Sequence, residues 1–470
     1  MHDALLNPGT VYDVCAWLIR LVMLVVLPLR RTPAAARSWL LLILFLPVPG
    51  LLLFLAIGNP RFSQWRGERF RQLQPFYSAV AERLAAAAPF GPGAGRDIAA
   101  LGRTLGRLPA AGGNSIEFLD DYDRAIDRLI ADIDGARHHV RLLAYIFADD
   151  HVGRRVIDAL GRAVARGVAC HVLIDAVGSH PWARGTLGRL RAAGVEARAA
   201  LPFRLLRRRT RRDMRNHRKL FLIDGEIGYA GSQNIVARDF RPGIVNHELT
   251  ARVTGPVVAG MGAVFLADWY LETQVMLAPL PEIPAPTGEA AVQVLPSGAD
   301  YPLEGFETLL VWQVNEARER VVIVTPYLIP DEDLLGAMRT AVLRGVKIDL
   351  VVSAVVDQRL VNLAQSSYYD DLLASGIRIH RFRDYLLHAK NVSIDGRLAI
   401  VGSSNVDIRS FQLNEEVSLL LYDPAAIARL EEIQHGYIAS SDALRLDAWR
   451  RRPAPRKMAE NMARLVGPLL

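Results

Sequence analysis

Two short segments of the chain carry the same reactive side chains at the same spacing. Each segment, HRKLFLIDG and HAKNVSIDG, places a histidine two residues before a lysine and seven residues before an aspartate. Residues two apart on a β-strand face the same side, so each imidazole is expected beside its ammonium group. The aspartate falls on the opposite face or in the following turn, which suits a supporting role. These residues are His217, Lys219 and Asp224 in the first motif, and His388, Lys390 and Asp395 in the second.

Further polar residues follow both motifs at matched positions. A small-residue turn, GSQN or GSSN, and then an Asn-x-Glu triplet supply Ser232, Asn234 and Glu248 in the first copy, and Ser403, Asn405 and Glu416 in the second. Phosphoryl transfer requires a nucleophile, a proton donor for the leaving oxygen and fixed positive charge on the phosphate. One copy supplies part of this set, whereas two copies face to face supply all of it: two imidazoles, two ammonium groups, two asparagine amides and two serine hydroxyls around one phosphate. Each glutamate can orient its imidazole by accepting a ring N–H.

The elements around the motifs repeat as well. A strand, a helix and a second strand follow one another over residues 134–175 and again over residues 315–352. Apolar runs alternate with amphipathic stretches, which predicts an α/β fold with helices on the faces of a sheet. We expect two similar domains with pseudo-two-fold symmetry and the site at their junction. The Pro-rich residues 277–290 are the predicted connector, and residues 86–115 are a second predicted linker.

Two apolar runs near the N-terminus predict a transmembrane helical hairpin. Residues 39–57 contain no charge, and residues 11–29 carry Arg20 near their centre. Either run is long enough to cross a hydrocarbon core about 30 Å thick. Pro47 and Pro49 lie within the second run, which predicts a kinked span or, alternatively, a re-entrant loop. Both flanks are basic, so the distribution of positive charge leaves the topology open.

The remaining charge pattern favours an anionic partner. Lysine and arginine exceed aspartate and glutamate by 56 to 49. The basic residues 204–219 lead into the first motif and are expected either to gather anionic lipid headgroups or to form a solvated loop. The C-terminal residues 441–470 predict a basic amphipathic helix, which lies on the membrane or packs against the body of the protein. Only two cysteines are present, which supports neither a disulfide framework nor a cysteine zinc site.

These motifs resemble those of the phospholipase D superfamily and, more closely, of bacterial cardiolipin synthases. The closer resemblance rests on AYIFADD, PYLIPDEDLL, SSYYDDLL and VDIRSFQLNEE, and on the double apolar run at the N-terminus. One departure is Ser232, where family members often have glycine. The resemblance implies two transmembrane helices in residues 1–60, a juxtamembrane segment and linker in 61–115, phospholipase D-like domains in 116–280 and 281–440, and the basic tail in 441–470.

The resemblance also implies transfer of a phosphatidyl group between two phosphatidylglycerol molecules, giving cardiolipin and glycerol. His217 would attack the phosphorus, and His388 would protonate the departing glycerol and later act as the base. Lys219, Lys390, Asn234 and Asn405 would hold the phosphate oxygens. The near-symmetry of the two motifs leaves the choice of nucleophile open. No metal or other cofactor is expected, because the lysine charges serve where a cation would.

The implied location is the bacterial inner membrane, with a multi-pass anchor and no nucleic acid partner. One alternative is a membrane-anchored phospholipase D that hydrolyses phospholipid to phosphatidic acid. A second is a nuclease of the same superfamily, which the basic stretch would suit and the apolar runs would not. A third is a lipid-binding scaffold without activity, against which both complete motifs argue.

Overall fold

The computed structural model describes residues 7–31, 33–58, 64–91, 95–202, 214–277, 281–301 and 303–465. The helices are α1 (Pro8–Arg30), α2 (Pro33–Phe45), α3 (Pro47–Ile57), α4 (Gln64–Gln72), α5 (Gln74–Ala87), α6 (Arg96–Gly106), α7 (Tyr122–Asp134), α8 (His151–Ala165), α9 (Ala183–Ala192), α10 (Val257–Thr273), α11 (Gly305–Glu316), α12 (Glu332–Leu343), α13 (Arg359–Ala374), α14 (Ile408–Gln412), α15 (Pro424–Ala439), α16 (Leu446–Arg450) and α17 (Ala454–Leu465). The strands are β1 (Ala111–Leu119), β2 (His139–Ala144), β3 (Ala169–Asp175), β4 (Glu196–Ala200), β5 (Leu220–Ile223), β6 (Ile227–Gly231), β7 (Asn246–His247), β8 (Thr250–Thr254), β9 (Ala290–Ser297), β10 (Arg320–Val324), β11 (Leu328–Ile329), β12 (Lys347–Ser353), β13 (Arg378–Phe382), β14 (Leu386–Leu387), β15 (Asn391–Ile394), β16 (Leu398–Gly402), β17 (Val406–Asp407), β18 (Glu416–Leu421) and β19 (Ser441–Ala443).

Fifteen of the described strands form one continuous sheet that runs through both halves of the chain. Its order is β4-β3-β2-β5-β6-β8-β1-β9-β18-β16-β15-β10-β12-β13-β19. The halves meet at the antiparallel pair β1–β9. Outward from that pair, β8, β6, β5, β2, β3 and β4 on one side correspond in order to β18, β16, β15, β10, β12 and β13 on the other. The predicted α/β class is confirmed, and the duplicated sequence corresponds to a duplicated strand order.

Helix α10 packs against the central strands of the sheet, and its sequence explains this position. VVAGMGAVFLADWYLET is apolar over most of its circumference, and nearly every residue is buried. A helix that is largely apolar on all sides is typically buried in a core. It packs among side chains from β1 and β8 of the first half and from β9 of the second half. The same cluster also includes Leu419 and Leu421 of β18. The two halves therefore share a core, which fixes their relative position.

The N-terminal segment departs from the predicted hairpin. α1 is the one described helix that is long and apolar enough to span a membrane, judged by length and composition. The second apolar run is two helices, α2 and α3, with a break at Leu46. At about 1.5 Å per residue, neither reaches the roughly 30 Å of a hydrocarbon core. Pro47 and Pro49 start α3, where a missing N–H is tolerated, so they begin a new helix instead of kinking a continuous one.

α2 and α3 fold back on each other at the break. A Cβ added to Gly50 would lie 2.9 Å from Cγ1 and 3.2 Å from Cα of Ile43. In one continuous helix, residues seven apart are separated by about 10 Å along the axis. The close approach therefore requires a sharp reversal, and only glycine fits there. The predicted second spanning helix is therefore not confirmed, because the second apolar run forms two short helices.

The segments expected to be linkers and tail are partly folded. Residues 86–115 include α6 and the start of β1, and Gly102 of α6 packs directly on Gln293 of β9. The predicted connector 277–290 joins α10 to β9, with residues 278–280 outside the described residues. Most of the basic stretch 204–219 also lies outside them. In the C-terminal tail, α17 packs on α13 through its buried Ala463, while Met458 and Met462 remain exposed.

Candidate active site

Both motif histidines line a single cavity of about 390 Å³ between the two halves. His217 lies three residues before the start of β5, and His388 lies three residues before the start of β15, so each reaches the cavity from the beginning of an inner strand. The wall also includes Asn234 of the first half and Asn405 of the second. The predicted meeting of the two motifs around one space is thus seen in the structure.

Each histidine is held by the glutamate of the opposite half. Nδ1 of His217 lies 2.9 Å from Oε1 of Glu416, and Nδ1 of His388 lies 2.8 Å from Oε1 of Glu248. Both glutamates are buried. A carboxylate on Nδ1 favours the tautomer with its proton there and leaves Nε2 with a free lone pair. The Asn-x-Glu triplets therefore do support the imidazoles, but each does so across the domain junction.

Short backbone pairings produce this exchange. The N–H of His217 donates to the carbonyl of Glu415 at 2.9 Å, so the first motif lies against the second Asn-x-Glu triplet. In the matching place, β14 pairs with β7, and the N–H of His388 donates to the carbonyl of His247 at 2.8 Å. Each glutamate follows the residue paired to a motif histidine, and so its side chain meets that histidine.

The motif lysines are buried beside the imidazoles. Nζ of Lys219 donates to the carbonyl of His217 at 2.8 Å, and Nζ of Lys390 donates to the carbonyl of His388 at 2.6 Å. In both motifs the acceptor is the backbone carbonyl two residues before the lysine. Each ammonium group is thereby held beside the histidine of its own motif.

The serines of the two turns support the glutamates. The hydroxyl of Ser232 donates to the carbonyl of Leu249 and accepts its N–H, directly after Glu248. The hydroxyl of Ser403 donates to Oε2 of Glu416, and Ser410 donates to Oε1. Neither Ser232 nor Ser403 is among the residues that line the cavity. Their geometry differs from the phosphate contact expected from sequence, because the turn directs both hydroxyls toward the next strand.

The motif aspartates lie at the far ends of β5 and β15. The carboxylate of Asp224 accepts the backbone N–H groups of residues 137, 138 and 139, at 2.7 to 2.9 Å. The carboxylate of Asp395 accepts those of residues 318, 319 and 320, at 2.8 to 2.9 Å. Asp224 and Gly225 both have positive φ, as the tight hairpin turn between β5 and β6 requires. These contacts place the aspartates in the supporting role that their odd spacing predicts.

Burial controls the protonation of the imidazoles and ammonium groups. It lowers the pKa of both His217 and His388 to about 4, and the glutamate on each ring only partly opposes this. It also lowers the pKa of Lys219 to about 7 and that of Lys390 to about 8. Each lysine further lowers the pKa of the histidine in the opposite motif. The four groups thus form one electrostatic unit, which a bound anion would stabilise in its charged form.

The glutamates remain ionised despite their burial. Burial acts to raise the pKa of Glu248, but His388 and Lys390 outweigh it, and the pKa is lowered. The same balance, with His217 and Lys219, lowers the pKa of Glu416. At neutral pH each imidazole therefore faces a carboxylate that can stabilise positive charge on the ring.

Sequence reasoning missed Arg218, which lies between the histidine and lysine of the first motif. Its side chain points to the opposite face of the strand, where Nη2 donates to Glu415 at 2.7 Å and Nη1 to Asp268 at 2.5 Å. Arg218 is only 1% exposed. The period of two along the strand already separates it from the imidazole. Its partners, however, come from distant segments that no local pattern connects.

The buried ion pairs continue from Arg218 to helix α4. Glu415 accepts the N–H of Asp300 at 3.0 Å, and Asp300 pairs with Arg66 at 2.9 Å. Arg66 also pairs with Glu272 at 2.8 Å. Burial and the nearby Asp300 raise the pKa of Glu415, while Arg218 and Arg66 oppose this. A residue just beyond the apolar N-terminal segment is thereby connected to the strand that holds the first motif.

Two tyrosines, which the spacing of the motifs does not predict, pack against the imidazoles. The rings of Tyr145 and His217 meet edge to face, with centroids 4.8 Å apart, and those of Tyr327 and His388 lie 6.3 Å apart in the same manner. Tyr145 follows β2 and Tyr327 follows β10, the corresponding strands of the two halves. The repeated AYIF and PYLI segments were the signal that could have identified them.

Comparison with known proteins agrees with this architecture. Residues 129–269 and 310–436 match the family model described as cardiolipin synthase, PLD-like domain. The chain is 35% identical to cardiolipin synthase A of Serratia proteamaculans and 35% identical to that of Cronobacter sakazakii, in each case over 98% of this chain and 100% of the relative. Its fold is similar to the crystal structure of phosphatidylserine synthase from Haemophilus influenzae, with a TM-score of 0.57 and 16% identity over 76% of this chain and 95% of that one. The chain belongs to the cardiolipin synthase family of phospholipase D-like proteins.

Proposed function

We propose that this protein synthesises cardiolipin by moving a phosphatidyl group from one phosphatidylglycerol to another. The observation that carries the proposal is the pair of imidazoles on one cavity wall, each with a carboxylate on Nδ1. A double displacement at phosphorus needs two such groups, one to attack and one to move a proton. Membership of the cardiolipin synthase family supplies the substrate class.

In the first step, Nε2 of His217 attacks the phosphorus of the donor lipid. The phosphorus–oxygen bond to glycerol breaks, and His388 gives that oxygen its Nε2 proton. The pKa of His388 is about 4 in the empty cavity. A phosphate anion beside the ring raises that pKa, so substrate binding itself prepares the proton donor. The products are free glycerol and a phosphatidyl group bonded to His217.

In the second step, His388 acts as a base toward the second phosphatidylglycerol. It takes the proton of a free glycerol hydroxyl as that oxygen attacks the phosphorus. The bond between phosphorus and His217 breaks, and cardiolipin is released. Glu416 stabilises positive charge on His217 while the covalent bond exists, and Glu248 does so when His388 is protonated.

The other predicted site residues take supporting roles in this proposal. Lys219 and Lys390 offset the negative charge of the phosphate oxygens. Asn234 and Asn405 line the cavity and face the same oxygens. Positioning roles go to the serines and aspartates, namely Ser232, Ser403, Asp224 and Asp395.

The architecture is proposed as two phospholipase D-like domains, residues 116–280 and 281–440, related by a pseudo-two-fold axis between β1 and β9. The matching strand orders support this relation. Residues 1–60 form the membrane part, 61–115 the juxtamembrane part and 441–470 the tail. We place the protein in the bacterial inner membrane, where α1 spans the bilayer and the reversal between α2 and α3 supports a re-entrant pair. A multi-pass anchor, in which the chain crosses the bilayer more than once, stays a prediction.

Purified protein incubated with phosphatidylglycerol alone tests the reaction. Cardiolipin and glycerol in equal amounts are expected, whereas phosphatidic acid would identify a hydrolase and refute the proposal. Stopping the reaction with acid and mapping the modified peptide tests the nucleophile. The phosphatidyl group is expected on His217, and a label on His388 would reverse the assignment. His217→Asn and His388→Asn serve as inactive controls.

A further inference from the structure

The cavity wall is asymmetric at one pair of matching positions. Two residues before each motif histidine, the first half has Arg215 and the second half has Leu386, and both side chains line the cavity. The tyrosines and asparagines described above are matched across the wall. At this pair of positions, the first half therefore carries a positive charge that the second half lacks.

The guanidinium group of Arg215 is buried and makes only two long hydrogen bonds within the part of the chain that the structure describes. The residue is 5% exposed, and its two nearest contacts, Oδ1 of Asp175 and the carbonyl of Leu201, are both 3.4 Å away. That distance is at the long limit for a hydrogen bond. Its Nε is buried and has no hydrogen-bond partner among the described residues. Burying a charged group without full pairing is costly, so its retention at a cavity wall points to a ligand.

Asp175 forms only a long ion pair with this arginine, at 3.4 Å, and its carboxylate is shared with three backbone N–H groups. Oδ1 accepts the N–H groups of Val177 and Gly178 at 2.9 and 2.8 Å, and Oδ2 accepts that of Asn216 at 3.0 Å. These bonds are shorter than its contact with Arg215. The carboxylate therefore mainly fixes the loop after β3, and the arginine retains the capacity to bind an anion.

Two further arginines line the same cavity. Arg241 pairs with Asp357, and Arg409 lies in the first turn of α14. Burial and the charge of Asp175 raise the pKa of Tyr145, whose ring lies against His217, and Arg409, Arg215 and Arg241 partly oppose this. The three arginines therefore lie near the tyrosine on the His217 side of the cavity, next to the phosphate position of the proposed reaction.

The two proposed steps differ in what this part of the cavity must hold. In the first step the departing group is glycerol, which has no charge. In the second step the acceptor brings its own phosphodiester, separated by one glycerol unit from the hydroxyl that reacts. A second anion therefore enters the cavity only when the acceptor lipid binds.

We propose that Arg215 binds the phosphodiester of the acceptor phosphatidylglycerol, with Arg241 and Arg409 adding positive charge around it. This inference rests on the proposed function. The planar guanidinium group suits a phosphodiester, because it can donate two parallel hydrogen bonds to two oxygens. Arg215 thus selects a charged acceptor, whereas the lysines and histidines act on the phosphate being transferred.

Two reactions of the same enzyme separate the acceptor from the donor. Cardiolipin formation needs both lipids, whereas exchange of radiolabelled glycerol into phosphatidylglycerol needs one lipid and an uncharged acceptor. In Arg215→Gln we expect kcat/KM for cardiolipin formation to fall about 10- to 100-fold, as for loss of one charge-assisted hydrogen-bonding group. Glycerol exchange should stay within about twofold of the unmodified enzyme. Arg429→Gln, which removes an exposed arginine paired with Glu432, is the matched control for both reactions.

The outcomes are distinct. An equal loss of both reactions would show that Arg215 serves the donor phosphate or the fold, and would overturn the proposal. Unchanged cardiolipin formation would also overturn it. If Arg215→Gln does not fold, as thermal unfolding would reveal, Arg241→Gln must show the same division between the reactions with a smaller factor, and an equal effect on both would refute the proposal. A failure of the proposed function would instead appear in the unmodified enzyme, as no cardiolipin from phosphatidylglycerol.

Discussion

Glu416 and Glu248 each contact the motif histidine of the opposite half of the chain. Replacing either glutamate should therefore impair only that one imidazole. Glu416→Gln keeps the size of the side chain and removes the charge beside His217, whose Nδ1 lies 2.9 Å away. Glu248→Gln does the same beside His388 at 2.8 Å. The glutamine can still accept the ring proton, so the tautomer is retained. What is lost is the stabilisation of positive charge on the ring.

The expected size of the effect follows from the geometry. Glu416 has no exposed surface and also accepts hydroxyl protons from Ser403 and Ser410, so water cannot replace its charge. A hydrogen bond to a charged group contributes about 1.5–3 kcal/mol. At about 1.36 kcal/mol per tenfold change, kcat should fall roughly 10- to 150-fold. KM should change little, because the carboxylate lies behind the imidazole and not on the cavity wall.

A change of leaving group identifies which histidine each glutamate serves. Phosphatidyl-p-nitrophenol releases a phenolate that needs no proton, so its cleavage does not depend on a proton donor. The rate to measure is that of p-nitrophenol release in the first turnover, before the adduct breaks down. With this substrate Glu248→Gln should regain the rate of the unmodified enzyme, because it impairs only His388. Glu416→Gln should stay slow with this substrate, because it impairs the attack by His217. Glu432→Gln, at an exposed site, is the control.

The reverse pattern would refute this reasoning. If Glu416→Gln recovers with the activated substrate and Glu248→Gln does not, either the glutamates serve the histidines of their own half or the roles of the histidines are exchanged. Acid trapping of the adduct on His217 would then distinguish these explanations. If both variants remain equally slow, the charge of the glutamates has no separate function at the two rings.

Three other outcomes follow from the same site. Because burial lowers the pKa of Lys219 to about 7 and of Lys390 to about 8, kcat/KM for phosphatidylglycerol should fall as the pH rises through 7 to 8, and a constant value up to pH 10 would contradict the role of their charge. The motif histidines have a pKa of about 4 when folded and about 6.5 when unfolded, so the unfolded chain binds more protons between these values. The free energy of unfolding should therefore fall as the pH drops from 6.5 toward 4, and this slope should decrease in a variant with asparagine at both positions. Asp224→Ala removes the acceptor of three backbone N–H groups and should lower the free energy of unfolding by about 2–4 kcal/mol, measured by denaturant titration against Asp127→Ala, which changes an exposed side chain.

The placement of the motif residues could be predicted because it depends on local periodicity and on duplication. Spacing by two residues places each lysine beside its histidine, and the bonds from Lys219 and Lys390 to the histidine carbonyls agree with that spacing. An odd spacing places Asp224 elsewhere, and it lies in the turn. Two copies of one motif in an α/β chain require a shared site, and both histidines line one cavity.

The exchange of glutamates could not be predicted, because it depends on backbone pairing between segments far apart in sequence. His217 and Glu416 are separated by 199 residues, and the contact exists only because the first motif pairs with residue 415. Sequence spacing alone associates each glutamate with the histidine of its own copy. The difference between Arg215 and Leu386 can be read from the aligned motifs. That both side chains line the cavity could not be predicted, because it depends on how the two halves meet.

The reversal between α2 and α3 was also beyond the sequence. Pro47 and Pro49 predict an interruption but do not give its angle. The angle follows from the contact of Gly50 with Ile43, which is a matter of helix packing. Likewise, the Ala- and Gly-rich composition of residues 86–115 resembled a linker, although Gly102 is there to let α6 approach Gln293 closely.

The buried ion pairs of Arg66 determine where the chain can be shortened. Arg66 is 1% exposed and is the counter-charge of Asp300 and Glu272, deep behind the first motif. A water-soluble fragment that begins before this arginine removes the apolar helices and keeps the counter-charge. A fragment that begins after it would leave two carboxylates unpaired in the interior, a change that typically costs 3–5 kcal/mol. Helix α4 is thus an integral part of the body that carries the site and not a dispensable linker to the apolar helices.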